Sequence, residues 1–274
     1  MASTNVALPD LSSLYHVPHD AVAGIASKGH TCLRGVATAD EIAAFRPVIE
    51  EVARANTTET RPLEERDTYG KAFIQVMNLW RKDERVARFV LAKRFAKVAA
   101  DLLDVPGVRL YHDQALFKEA GGGKTPWHQD QYFWPFDTDK TITMWMPLVP
   151  VPVEVGSMIF TSGTHTMGYL GRYGISDESE EVFKNFVAEK SIPLESYGAL
   201  EPGDTTWHVG WSLHAAPENP TQNLRAVMTV IYVADGARVI EPLNDNQKVD
   251  LVQWLPGLQP GDPVASELNP LLYP

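Results

Sequence analysis

One cysteine, Cys32, occurs in 274 residues. A single thiol excludes an internal disulfide and any cysteine-rich metal site. Its flanks, His30-Thr31-Cys32-Leu33, read as a strand in which Cys32 is a small buried hydrophobe. No stretch approaches the roughly 18 consecutive apolar residues of a membrane span. The first 16 residues lack the basic start and apolar run of a secretory signal. Positive charge is also scarce: 24 Lys and Arg stand against 35 Asp and Glu, for a net charge of −11. Nucleic-acid binding needs a clustered basic surface, and none is present. These absences predict a cytoplasmic chain with neither a nucleic-acid nor a membrane partner.

The remaining composition is ordinary for a globular protein, with 44% hydrophobic and 22% charged residues. A core of that size can enclose a concave site, and the chain reads as one domain. Residues 1–20 read as an arm, and residues 26–36 include a weakly alternating strand. Thr38 and Glu41 have capping-box spacing before a helix over 40–55, where Pro47 predicts a kink or break. A strand is expected over 72–80. One helix is expected over 83–103, with Lys93, Arg94 and Lys97 on its solvated face. Together these make a helical buttress over about 38–104.

From Val108 the pattern turns to short strands, at 109–118, 141–151, 157–161, 199–207, 212–216 and 224–233. A core over about 108–235 follows, interrupted by a charged insertion over 168–198 that suits a lid and holds a short helix ending near Val187. The proline- and leucine-rich C-terminus is expected to pack on the surface. Helices early and strands late predict a mainly β fold with flanking helices.

The tripeptide His128-Gln129-Asp130 carries the chemistry. In a strand, residues 128 and 130 point to one side and Gln129 to the other. An imidazole and a carboxylate side by side, joined by a distant histidine, make a 2-His-1-carboxylate triad with open positions for non-haem iron(II). Alone, His-x-Asp is more often a surface or turn feature. Here Trp127, Tyr132, Phe133, Trp134 and Phe136 surround it, as in a ligand pocket. For the third ligand, His16, His19 and His30 lie in the N-terminal region and His165 in a turn. His112 precedes the motif and suits the pocket wall. His208 and His214 remain.

Arg225 opens an apolar strand in which Val227, Thr229 and Ile231 share its face. A guanidinium inside an apolar barrel needs an anion, and a carboxylate matches it best; an internal salt bridge or a solvent-facing arginine near the turn is the alternative reading. The turn Pro217-Glu218-Asn219-Pro220 predicts an antiparallel hairpin carrying His214 and Arg225.

These residues resemble the phytanoyl-CoA dioxygenase family of Fe(II)/2-oxoglutarate-dependent oxygenases. The resemblance lies in Trp127-His128-Gln129-Asp130, in Trp145 within Thr143-Met144-Trp145-Met146-Pro147-Leu148, and in Gly156-Ser157-Met158 through Ser162-Gly163-Thr164-His165. It continues in Gly203-Asp204 and in His214 eleven residues before Arg225, and covers roughly residues 26–235. It implies a double-stranded β-helix, or jelly roll. It implies iron held by His128, Asp130 and His214, with Arg225 on the far carboxylate of 2-oxoglutarate and Trp145 lining the co-substrate.

Many members carry serine where this chain has Ala216, so Gln114 or Thr143 is expected to supply that hydrogen bond. Asp130 fills the position that related halogenases leave open for halide, which favours hydroxylation. The implied reaction consumes 2-oxoglutarate and O2, releases succinate and CO2, and oxidises a C–H of a small molecule. Phe73, Gln75, Asn78, Phe133 and Trp134 are the expected substrate contacts. Few cations cluster at the expected mouth, which speaks against a CoA phosphate. A cupin-like metal enzyme without 2-oxoglutarate and a non-enzymatic metal- or ligand-binding barrel are the alternatives.

Overall fold

A computed structural model describes residues 7–155 and 157–274. Gly156 and the first six residues of the expected arm lie outside the described residues. In chain order the elements are α1 (His19–Lys28), β1 (His30–Leu33), α2 (Ala39–Asn56), α3 (Thr68–Ala72), β2 (Ile74–Met77), α4 (Glu84–Val90) and α5 (Lys93–Leu103). There follow β3 (Val108–Lys118), β4 (Thr125–His128), β5 (Thr141–Pro147), β6 (Ile159–Thr161), α6 (Asp177–Glu189), β7 (Leu194–Glu195), β8 (Thr205–Val209) and β9 (His214–Ala216). β10 (Arg225–Ala234), α7 (Asp245–Trp254) and β11 (Leu271–Tyr273) complete the chain.

The strands form two antiparallel sheets. The larger runs β1-β8-β5-β10-β3-β11, with β2 also on β3; the smaller runs β4-β9-β6-β7. This is the double-stranded β-helix. Both faces of the larger sheet are buried, and the period of two sorts them. On one face Leu110, Ile142, Met144, Met146, Trp207, Met228 and Val230 pack with Phe45, Ile49, Phe89, Phe95 and Val98 of the helices. On the other, His112, Gln114, Thr143, Trp145, His208, Arg225 and Thr229 line a cavity between the sheets. No helix among the described residues is long and apolar enough to cross a membrane.

Several expectations change here. α2 passes through Pro47 without a break. Pro47 and Ala43, whose carbonyl loses its helical partner, are both exposed, so water can satisfy the freed oxygen while Ile42, Phe45 and Ile49 stay packed. The helix expected over 83–103 is two helices, with Ala92 extended between them. Residues 89 and 95 would point about 120° apart on a straight helix, more than a turn and a half along it. The break lets their rings meet at 5.2 Å.

Arg94 leaves the solvated face. It is buried and bonds both Glu41 oxygens at 2.8 and 2.9 Å and Ser13 O at 2.7 Å, tying α5 to α2 and the N-terminal segment. Cys32 is half-buried rather than buried. α1 occupies part of the expected arm and loop, ending at Gly29 with φ 85°.

The C-terminal region does more than cover the surface, because α7 is clamped to the loop after His128. Asn244 Nδ2 donates to Tyr132 O (3.2 Å), and Gln247 Nε2 donates to Trp134 O (3.2 Å).

Candidate metal centre

His128 ends β4 and His214 begins β9, and the two face each other in register. Asp130 is not on the strand: it opens a 3-10 turn, Asp130–Phe133. The turn is held when Gln131 N–H donates to Gly210 O at 2.9 Å. A Cβ on Gly210 would come within 2.4 Å of Gln131 Oε1 and 2.5 Å of Thr141 Oγ1, so this approach needs glycine. Gln129 points away, as expected. Its amide bonds Trp211 O (2.7 Å), Gly168 O (2.8 Å) and Leu170 N (3.0 Å), pinning the start of the 168–198 insertion to the motif.

One ligand atom each from His128, Asp130 and His214 lies within 4.8 Å of the others. The tautomers are set by the backbone. His128 Nδ1 donates to Pro126 O at 2.7 Å and His214 Nδ1 to Ser212 O at 2.9 Å. Both Nε2 atoms are therefore lone-pair donors, 3.5 and 3.8 Å from Asp130 Oδ1. The carboxylate is divided between two jobs. Oδ2 accepts from Thr143 Oγ1 (3.0 Å) and His208 Nε2 (3.1 Å), leaving Oδ1 turned to the imidazoles. A carboxylate only accepts, so His208 carries its proton on Nε2.

Burial opposes ionisation of Asp130, but His214, His128 and His208 outweigh it and hold its carboxyl well below the usual range. Burial, reinforced by His128 and His208, pushes the His214 imidazole well below its usual value, so it stays neutral as a ligand must. Two neutral imidazoles and one ionised oxygen suit a divalent transition metal with open positions.

The cavity beyond this cluster measures about 450 Å³. Arg225 lines it from β10, and burial brings its guanidinium down to about 10, still charged at neutral pH. The guanidinium carbon sits 5.4 Å from the Trp145 ring centroid. The expected hairpin does not form: β9 belongs to the smaller sheet and β10 to the larger, so the 217–224 link crosses between sheets. The result is still to set His214 and Arg225 around one cavity.

Trp145, Gln114, Phe73, Gln75, Phe133 and Trp134 all line it. Tyr69 Oη donates to Gln75 Oε1 (3.1 Å), and Gln75 Nε2 to Gln114 Oε1 (2.8 Å). Thr143 lines it too, although its hydroxyl is already committed to Asp130. Asn78 is not in the wall. β2 ends at Met77, Asn78 adopts φ 50°, and its N–H bonds Asp113 O at 2.9 Å as the chain turns away.

Sequence reasoning left His208 as one of two rival ligands, whereas it bonds the carboxylate. Thr125 was passed over. It lies opposite Ala216 in register, lines the cavity, and its buried Oγ1 has no partner among the described residues. Its position three residues before His128, on the same short strand, was the available signal.

No curated protein sequence matches the chain. Among solved structures, the non-haem α-ketoglutarate-dependent carbocyclase SnoK of nogalamycin biosynthesis superposes with TM-score 0.74 at 24% identity, covering 93% of this chain and 96% of that one. The epimerase SnoN, solved with Fe3+, α-ketoglutarate and nogalamycin RO, gives 0.73 at 25% identity, over 92% and 97%. EctD from S. alaskensis, with 2-oxoglutarate and 5-hydroxyectoine, gives 0.65 at 18%, over 86% and 85%. At these identities the likeness to SnoK and EctD is one of fold. A family model adds sequence evidence, since phytanoyl-CoA dioxygenase matches residues 25–227, most of the chain. The chain belongs to the phytanoyl-CoA dioxygenase family.

Proposed function

We propose that this chain is an iron(II)- and 2-oxoglutarate-dependent oxygenase acting on a C–H of a small organic molecule. The observation that carries this reading is the pairing of the His128-Asp130-His214 cluster with a buried arginine in the wall of one cavity. His128 Nε2, Asp130 Oδ1 and His214 Nε2 are the metal ligands. When bound, iron(II) with 2-oxoglutarate and O2 supplies the oxidising power, releasing succinate and CO2.

The protein's own residues bind, orient and exclude water. Arg225 takes the far carboxylate of the co-substrate, which its fork geometry matches, and Trp145 covers the guanidinium. His208 and Thr143 hold Asp130 so that one oxygen points at the metal. Phe73, Phe133 and Trp134 supply apolar contact for the substrate, with Gln75 and Gln114 as its polar neighbours. The 168–198 insertion, pinned by Gln129 and contributing Gly174 and Ile175 to the wall, acts as the lid.

Hydroxylation is the outcome we favour, because Asp130 fills the place a halide would need. Carbocyclase and epimerase are the activities named for SnoK and SnoN, and product mass separates these outcomes. Hydroxylation adds one oxygen, ring closure removes two hydrogens, and epimerisation leaves the mass unchanged.

The test is succinate formation from protein, iron(II), 2-oxoglutarate and O2 across a broad panel of small molecules. Succinate above the level of a His128→Ala control is expected. Equal succinate from both proteins throughout the panel would overturn the reading.

A further inference from the structure

The cavity has two ends of different chemistry. Around the metal cluster, Asp130 accepts hydrogen bonds from Thr143 and His208, and Arg225 lies in the same wall. The other end is closed by α7. Asn246, Asp250, Gln253 and Trp254 reach the cavity from this helix. Their spacing, four then three or four residues apart, places them on one helix face. That face is fixed to the metal loop by the Asn244 and Gln247 hydrogen bonds, so Asp250 is held toward the cavity rather than swung into solvent.

Asp250 has hydrogen-bond donors but no ion-pair partner among the described residues. Oδ2 accepts a hydrogen bond from Tyr111 Oη at 2.8 Å. Among the described residues Arg225 is the only Lys or Arg lining the cavity, so no cation of that wall is left for Asp250 once Arg225 serves a co-substrate. His112 on β3 also lines this end, its ring 5.4 Å from Trp254. Burial pushes that imidazole down to about 3, partly opposed by Asp130, so it is neutral and neither pairs with Asp250 nor repels a cation.

Burial holds Asp250 up at about 7, against the hydrogen bonds from Tyr111 and Trp254, and a cation beside it would favour the charged form. Tyr69, Phe73, Phe133, Trp134 and Trp254 wall the same cavity. Aromatic faces attract cations, and more strongly where water is excluded.

We propose that the α7 end of the cavity receives a protonated amine of the substrate, held by the Asp250 carboxylate and the surrounding aromatic faces. This rests on the oxygenase reading for what happens to the substrate, but not for the binding itself. The ligand class is an amine carried on a body of one or two rings, a size within reach of a cavity of about 450 Å³ shared with the co-substrate. A phosphorylated or carboxylated substrate fits poorly, because at this end it would meet Asp250 and no cation.

The test uses three probes of similar shape, namely benzylamine, benzyl alcohol and benzoate, titrated against the full-length protein by calorimetry or ligand-observed NMR. Benzylamine is expected to bind about tenfold more tightly than benzyl alcohol, since a charge-assisted pair in a dry site exceeds a neutral hydrogen bond by about that factor. Benzoate should be weakest at this end, measured with 2-oxoglutarate present to occupy Arg225. Asp250→Asn should bring the amine-to-alcohol ratio close to one, while Asp250→Glu, which keeps the charge, should retain most of the preference.

Equal affinity for benzyl alcohol and benzylamine would overturn the proposal in favour of a neutral carboxyl reading a hydroxyl. A preference surviving in Asp250→Asn, or no benzylamine binding at millimolar concentration, would overturn it as well. No arm needs turnover. A protein that never forms succinate can still prefer the amine, and a succinate-forming protein can fail to do so, so the two readings fail separately.

Discussion

The two ends of the cavity are built by different means. The metal end comes from paired strands: His128 faces His214 across β4 and β9, and Thr143 faces His208 across β5 and β8. Sheet register sets those two pairings, and the Gln131–Gly210 hydrogen bond fixes the turn that carries Asp130 beside them. The α7 end is assembled from α3, the 168–198 insertion and α7: Phe183 and Val187 of α6 pack on Trp127 and Ala215, Thr68 bonds Asp177, and Asn244 bonds the loop after His128. Such pieces can vary without disturbing the strands beneath them. On our reading, the division puts the reaction in the strands and the turn they hold, and the choice of substrate in what is laid over them.

Arg225→Ala should break this division most visibly. The guanidinium is buried and, on our reading, holds the co-substrate carboxylate, so its loss should raise the KM for 2-oxoglutarate by roughly a hundredfold or more. Metal binding should survive, because the three ligands come from β4, β9 and the turn after β4 and none from β10. A steady-state titration of 2-oxoglutarate measures the effect. An unchanged KM would point instead to a cupin-like enzyme that does without this co-substrate.

His208→Phe comes next. It keeps a ring against His214, 4.2 Å away, and removes the donor to Asp130 Oδ2. Losing a bond that orients a metal-binding carboxylate typically costs about 10- to 100-fold in metal affinity. Iron(II) or cobalt(II) titration should show a loss of that size, partly recovered in His208→Gln, whose amide can donate. An unaltered metal affinity in His208→Phe would show that Thr143 alone orients Asp130.

The same contrast explains what could be read before the structure. His-x-Asp followed by a distant histidine and an arginine is legible in the sequence, and alternation placed Arg225 and Thr229 on one face, which lines the cavity. α7 was invisible for a physical reason. Its cavity-facing stripe is Asn246, Asp250, Gln253 and Trp254, its only fully buried residue is Gln247, and Val249 and Val252 face solvent. A helix anchored by polar side chains offers no apolar stripe to detect. Arg94 misled for a related reason, since the acceptors that bury it lie far away in sequence, on Glu41 and Ser13. The His214–Arg225 hairpin failed because a turn signal shows that the chain reverses, but not which sheet it rejoins.

The smallest expected effect tests whether the metal end is really closed to outside help. The family resemblance places a serine where Ala216 stands, and here Thr125 faces Ala216 across the β4–β9 pair. Directly opposed residues have Cβ atoms about 5 Å apart, so a hydroxyl from either strand can reach the same point in the cavity. Thr125 Oγ1 is buried and has no partner among the described residues, a state that costs stability unless a ligand answers it. If the co-substrate binds here as we propose, Thr125 is placed to take over the missing serine's bond. Thr125→Val keeps the shape and removes the hydroxyl, and it should raise the KM for 2-oxoglutarate about three- to tenfold. Adding Ala216→Ser should restore it, because the donor returns from the facing strand. If Thr125→Val leaves the KM unchanged, or Ala216→Ser fails to rescue it, the hydroxyl at 125 serves the fold and not the co-substrate.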